Sequence, residues 1–188
     1  MTKPNPARLR AEDAVLVVVD LQERLMAAMP EDRRASVTRN AGILLAAARA
    51  LGVPVLATEQ YPKGLGPTIP EIAGALGDAR PIDKLDFSAC GEPRFREALS
   101  ATGRKQAIVV GVEAHVCVFQ TVVDLVDAGL AVHVPADAVA SRTEESRRVA
   151  EALIREAGGV VTTTEAAAFQ LVGRAGTDAF KIVSKLVK

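Results

Sequence analysis

The chain has 188 residues, 49% of them apolar, and its 23 acidic side chains balance 23 basic ones. That length supports one domain with a large core and falls short of two ordinary ones, so a single domain over 1–188 is expected. Zero formal charge and 3% aromatic content give neither a phosphate-tracking surface nor a base-stacking platform, and nucleic acid is not an expected partner.

The N-terminal Met1-Thr2-Lys3-Pro4-Asn5-Pro6 lacks the apolar core of a secretory leader. No apolar run approaches the roughly 20 residues that cross a bilayer, so no membrane partner is expected. The two cysteines, Cys90 and Cys117, fit a reducing compartment and a cytoplasmic protein, not a secreted disulfide scaffold.

Val15-Leu16-Val17-Val18-Val19 is a β-branched run stopped by Asp20, the pattern of a strand buried on both faces of a parallel sheet. Apolar residues then recur at helical spacing from Arg33 to Leu51, with Gly52 as a C-cap, and Val53–Ala57 is the second expected strand. Prolines and glycines crowd Thr58–Asp78, which reads as a long loop over one edge of the sheet. A short strand near Pro81–Leu85 and a helix from about Glu92 to Thr102 follow. Ala107–Val110 is the fourth strand, and a helix carrying Cys117 runs to about Ala128. Leu130–Val134 is the fifth strand, a charged helix begins at Thr143, Val160–Thr162 is the sixth strand, and Thr177–Lys188 is a final helix.

Strands alternating with helices give an α/β fold: a three-layer αβα sandwich around a mostly parallel, six-stranded Rossmann-like sheet, expected in the order 3-2-1-4-5-6. Ligands of such sheets bind beyond the C-terminal strand ends, where strand order reverses. Strands one and four are neighbours there, so Asp20 and Cys117 should converge, with Lys84 at the end of strand three on the same rim. A carboxylate can take the thiol proton, an ammonium can hold that carboxylate, and sulfur can attack. A thiol at a helix start also meets the positive end of the dipole, so a depressed Cys117 pKa is expected.

Taken singly, each residue has a plainer reading. Cys117 can be an ordinary buried thiol, Asp20 a strand stop, and Lys84 a solvated partner of Asp83 or Asp86. Cys90 sits in Ser88-Ala89-Cys90-Gly91 with no adjacent base, and no role is assigned to it. His115 lies about 200° from Cys117 around a common helix, which suits a packed or pocket-lining residue better than a dyad partner. His133 alternates within a buried strand and reads as structural.

Together, Asp20 in Val-Val-Asp-Leu-Gln, Lys84 in Asp-Lys, and Cys117 in Gly-Val-Glu-Ala-His-Val-Cys-Val resemble the isochorismatase-like cysteine hydrolases, from Ala14 to about Leu171. Gly-Leu-Gly after Glu59-Gln60-Tyr61-Pro62-Lys63 is most similar to the isochorismatase domain-containing subgroup. The resemblance implies an Asp20–Lys84–Cys117 triad, a cis peptide between Val112 and Glu113 that aims backbone N–H groups at an oxyanion, and a homo-oligomer. It implies cleavage of a small-molecule amide-type C–N bond through a thioester. The vinyl-ether hydrolases that give the family its name lack the cysteine, so Cys117 points away from isochorismate. Nicotinamidase-like relatives carry a metal after strand two, where this chain has Thr58-Glu59-Gln60-Tyr61, so no metal is expected. No G-x-G-x-x-G follows strand one, so no nucleotide cofactor is expected either. Gln22, Gln60, Tyr61, Phe87 and His115 are candidate pocket residues. Two alternatives stay open: a binding or scaffold protein that keeps the fold without turnover, and a thiol redox sensor.

Overall fold

The computed structural model describes residues 5–188; the Met1–Pro4 part of the segment read for a leader lies outside them. The strands are β1 (Ala14–Val19), β2 (Val55–Gln60), β3 (Ile82–Lys84), β4 (Gln106–Val112), β5 (Ala131–Pro135), β6 (Val139–Ala140) and β7 (Val160–Thr162). All pair in parallel in the order β3-β2-β1-β4-β5-β7. With β7 as the sixth strand of the sequence reading, this is the expected order. The added strand, β6, pairs Val139 with Gly111 and Ala140 with Val112, filling the edge of β4 beyond its pairing with β5. Two residues are too few for a periodic signal to reveal it.

Because successive side chains of a strand point to opposite faces, β1 feeds two cores. Ala14, Leu16 and Val18 join one apolar cluster, and Val15, Val17 and Val19 join the other. The first cluster packs under α2 (Glu31–Leu51), α4 (Pro70–Ala75), α8 (Thr164–Val172) and α9 (Asp178–Leu186). The second packs under α5 (Pro93–Thr102), α6 (Phe119–Asp127) and α7 (Glu144–Glu156), with Phe95, Leu125 and Ile154 completely enclosed. Two apolar faces on one sheet make three layers unavoidable. No helix among the described residues is long and apolar enough to cross a membrane.

Several local expectations need correction. Val53 belongs to the end of α2, its N–H donating to Ala48 O at 2.9 Å behind left-handed Gly52, so β2 starts later and runs on through Thr58, Glu59 and Gln60. The expected 58–78 loop also holds α3 (Pro62–Leu65) and α4, each opened by a proline in its first turn, where the missing N–H costs nothing. Proline marked a boundary there and also a beginning. A short helix, α1 (Glu23–Ala27), and α8, capped by the Thr163 side chain, complete the chain.

Candidate active site

Asp20 follows β1 directly, is fully buried and has φ 54°. The other non-glycine residues with positive φ among those described are Tyr61, directly after β2, and Glu113, directly after β4. Backbone strain therefore gathers at the C-terminal rim of three adjacent strands, as it does at functional sites. Gly111, paired with Val19, permits this: a Cβ there would lie 2.2 Å from Val19 O. Glycine lets β4 press against β1 one residue before Asp20.

Each Asp20 oxygen has its own donor. Thr58 Oγ1 donates to Oδ1 at 2.7 Å and Lys84 Nζ to Oδ2 at 2.8 Å, with both charged side chains closed to solvent. Lys84 Nζ also donates to Gln60 Oε1 at 2.6 Å and to the Phe87 and Asp86 carbonyls at 2.9 and 3.2 Å. Ion pairs out of water persist only when such partners offset desolvation.

Cys117 lies in a wide π-helical turn, Ala114–Val118, that leads into α6, and is 3% exposed. Its thiol pKa is pushed up to about 12, first by burial and next by the neighbouring Asp20 charge. Lys84 pulls the other way and loses. The expected depressed pKa is thus reversed, because the lysine charge is already answered by Asp20 and burial strips a thiolate of the solvent that would stabilise it. Asp20, Lys84 and Cys117 meet in one place, with the sulfur resting as a thiol.

The Val112–Glu113 peptide is trans, and no cis bond occurs among the described residues, which corrects the expected cis geometry. Glu113 makes the turn instead, at φ 55° and ψ 55°, with its carbonyl accepting from Val116 N at 2.8 Å. A left-handed residue reverses the strand end while the peptide stays planar and trans.

A family model described as the isochorismatase domain matches residues 14–166. The chain belongs to the isochorismatase family. It is 39% identical over 190 residues to isochorismatase domain-containing protein 2 of Pongo abelii, covering 99% of this chain and 88% of that one. It is 40% identical over 189 residues to a secreted isochorismatase effector of Phytophthora sojae, covering 96% and 87%. A solved structure described as MAR1 ribonuclease from Caenorhabditis elegans superimposes with TM-score 0.89 at 40% identity, covering 96% of this chain and 92% of that one.

In this isochorismatase-family chain the residues read as pocket walls divide by role. Gln22 is a clamp rather than a wall: its Nε2 donates to Gln60 O at 3.0 Å and Gly66 O at 2.7 Å, and its Oε1 accepts from Gln60 N at 2.7 Å. Gln60 steadies Lys84 and ties down Leu85 O at 2.8 Å. Tyr61 and Phe87 are exposed together with Leu85, and Tyr61 and Leu85 border a cleft of about 400 Å³ that reaches Lys84. His115 shares a 3.0 Å contact with Ser141 Oγ and lies 3.6 Å from the Glu113 carboxylate. Cys90 stands apart beside Ser88 and Asp124, pushed up to about 11 chiefly by burial. His133 is buried in β5 with Nε2 2.9 Å from Pro6 O.

Sequence reasoning missed Thr58, Arg142 and the side chain of Glu113. Thr58 had a signal, because β-branched Thr58 continues the apolar run of β2 in register with Val19.

Proposed function

We propose that this chain is a cysteine hydrolase that cleaves amide-type C–N bonds of small molecules through a thioester on Cys117. What carries the reading is Asp20, a buried carboxylate whose charge bears on the Cys117 thiol and which lies 2.8 Å from the Lys84 ammonium. With the thiol pKa near 12, the nucleophile forms only as a carbonyl arrives. The Sγ–C bond forms while the thiol proton passes to Asp20, which Lys84 Nζ holds in position at 2.8 Å. The backbone N–H of Cys117 is the donor proposed for the developing oxyanion, since Val116 N and Val118 N donate to Glu113 O. The C–N bond then breaks, and the amine leaves with the proton from Asp20. Water attacks the thioester with Asp20 again as base, releasing the acid and restoring the thiol.

Carboxamides, ureides and activated esters incubated with the protein test this by intact mass and product release. An acyl adduct on Cys117, and hydrolysis lost in Cys117→Ala, are expected; a panel without Cys117-dependent turnover would overturn the proposal and favour a scaffold role. Sulfenic acid at Cys117 without turnover would favour the redox sensor.

The names of two relatives supply rival substrates, isochorismate and RNA. A buried thiol beside a base suits an acyl carbonyl better than a vinyl ether or a phosphodiester, and both rivals belong in the same assay. A homo-oligomer is also proposed, supported by the apolar rim of Tyr61, Leu85 and Phe87, and light scattering in solution tests it. Two free thiols support a cytoplasmic location, against the secreted designation of the Phytophthora relative; fractionation decides between them.

A further inference from the structure

Thr121 is fully buried in the first turn of α6, four residues after Cys117, and its hydroxyl makes two hydrogen bonds. It donates to the Cys117 carbonyl at 2.7 Å, and its oxygen accepts from Ala89 N at 2.9 Å. The first bond is one that a helical threonine makes readily to the residue one turn back. The second is not local: it ties α6 to a residue 32 positions earlier in the chain. Ala89 opens the 3₁₀ turn Ala89–Gly91, and just before that turn the Asp86 and Phe87 carbonyls accept from Lys84 Nζ at 3.2 and 2.9 Å. One hydroxyl therefore joins the main chain of Cys117 to the segment that seats Lys84.

The sheet does not make this connection directly. Lys84 ends β3 and the Cys117 turn follows β4, and in the strand order β3-β2-β1-β4 two strands lie between them. A second tie, Ser88 Oγ to Asp124 Oδ2 at 2.5 Å, fastens the same segment one turn further along α6 but involves no atom of Cys117. We infer that Thr121 is a positioning residue, holding the turn that carries Cys117 in register with the segment that seats Lys84 and, through Lys84, Asp20. It neither meets substrate nor moves a proton. The inference rests on Cys117 being the nucleophile, and it adds a residue whose only contribution to rate is alignment.

Acylation of the full-length protein by p-nitrophenyl acetate tests it. The Sγ–C bond forms, p-nitrophenolate leaves, and the thiol proton passes through Asp20 to solvent. The burst of p-nitrophenolate gives the maximal acylation rate and its half-saturating concentration, measured where each variant is folded by circular dichroism. Thr121→Val keeps the branched shape and removes both hydrogen bonds. Its maximal rate is expected to fall about tenfold, with the half-saturating concentration changed by less than about twofold. Thr121→Ala, which removes the same bonds without adding bulk, carries the same expectation should the valine variant not fold. Thr121→Ser keeps the hydroxyl and should stay within about twofold of the parent. Ser88→Ala cuts the tie to Asp124 and should lower stability in urea while leaving the maximal rate within about twofold.

A folded Thr121→Val protein with the parent's rate would overturn the positioning role and leave Thr121 a stability contact. Equal rate losses in Thr121→Val and Ser88→Ala would overturn it too, because any fastening of the segment to α6 would then serve. Failure of Thr121→Ser to restore the rate would remove the hydroxyl from the argument. Cys117→Ala separates the two levels: if it is acylated as fast as the parent, the nucleophile reading fails and the positioning role falls with it. If Cys117→Ala is inert while Thr121→Val keeps full rate, only the positioning role is lost.

Discussion

Lys84 Nζ and Asp20 Oδ2 lie 2.8 Å apart with both side chains closed to solvent, joining residues 64 positions apart in sequence. The pair spans the ends of β3 and β1 with β2 between them. Removing one partner leaves the other charge buried alone. Lys84→Met is expected to cost about 3–5 kcal/mol in urea unfolding. The Lys84→Met/Asp20→Asn double variant should recover part of that loss. Strict additivity of the two single losses would contradict the coupling.

Thr58→Val keeps the shape of the side chain and removes the donor to Asp20 Oδ1. A buried carboxylate short of one partner should lower stability by about 1–3 kcal/mol. Turnover of a carboxamide substrate should fall through kcat, with KM little changed; a change in KM alone would place Thr58 in substrate binding instead.

Cys117 makes stability fall in alkaline solution. Its pKa rises from 9.0 to about 12 on folding, so above pH 9 the unfolded chain gives up this proton while the folded chain keeps it. Stability is fully present below pH 9 and declines up to pH 12, by about 1.4 kcal/mol per pH unit for this one group. Cys117→Ala should remove that share of the slope in unfolding measured from pH 8 to about pH 11.

Asp20→Asn separates equilibrium from catalysis. Losing the Asp20 charge should lower the Cys117 pKa, read as thiolate absorbance, because Lys84 is then unopposed. Turnover should nonetheless drop by about 10²–10⁴-fold, the usual contribution of a general base. A faster Asp20→Asn enzyme would mean that thiolate supply, and not proton transfer, limits the reaction.

Gly111→Ala brings a Cβ to 2.2 Å from Val19 O, with φ at 149°. Backbone strain and overpacking should together cost about 2–5 kcal/mol in thermal or urea unfolding. A stability unchanged from the parent would show that β1 and β4 can part without penalty.

Much of the fold was legible because its signals are local. Val15–Val19 and Ala107–Val110 read as strands since β-branched runs buried on both faces occur in parallel sheets, and Gly52 marked a helix end that the structure keeps as a left-handed cap. The 58–78 segment misled because proline was read as a breaker, whereas Pro62 and Pro70 open short helices. Gln22 passed for a pocket wall since a glutamine in sequence does not disclose whether its amide meets substrate or the backbone of Gln60 and Gly66.

By itself, the sequence determined the kinds of chemical group available and the order of the elements that deliver them, because hydrophobic period, caps and strand-end residues are set by neighbours along the chain. Only the tertiary structure decided the direction in which the Cys117 pKa moves, the pairing of Glu113 with Arg142 and the trans turn after β4. Each depends on how much water is excluded and which distant charges come within a few ångströms, and both are consequences of layers closing over the rim rather than of any local run of residues.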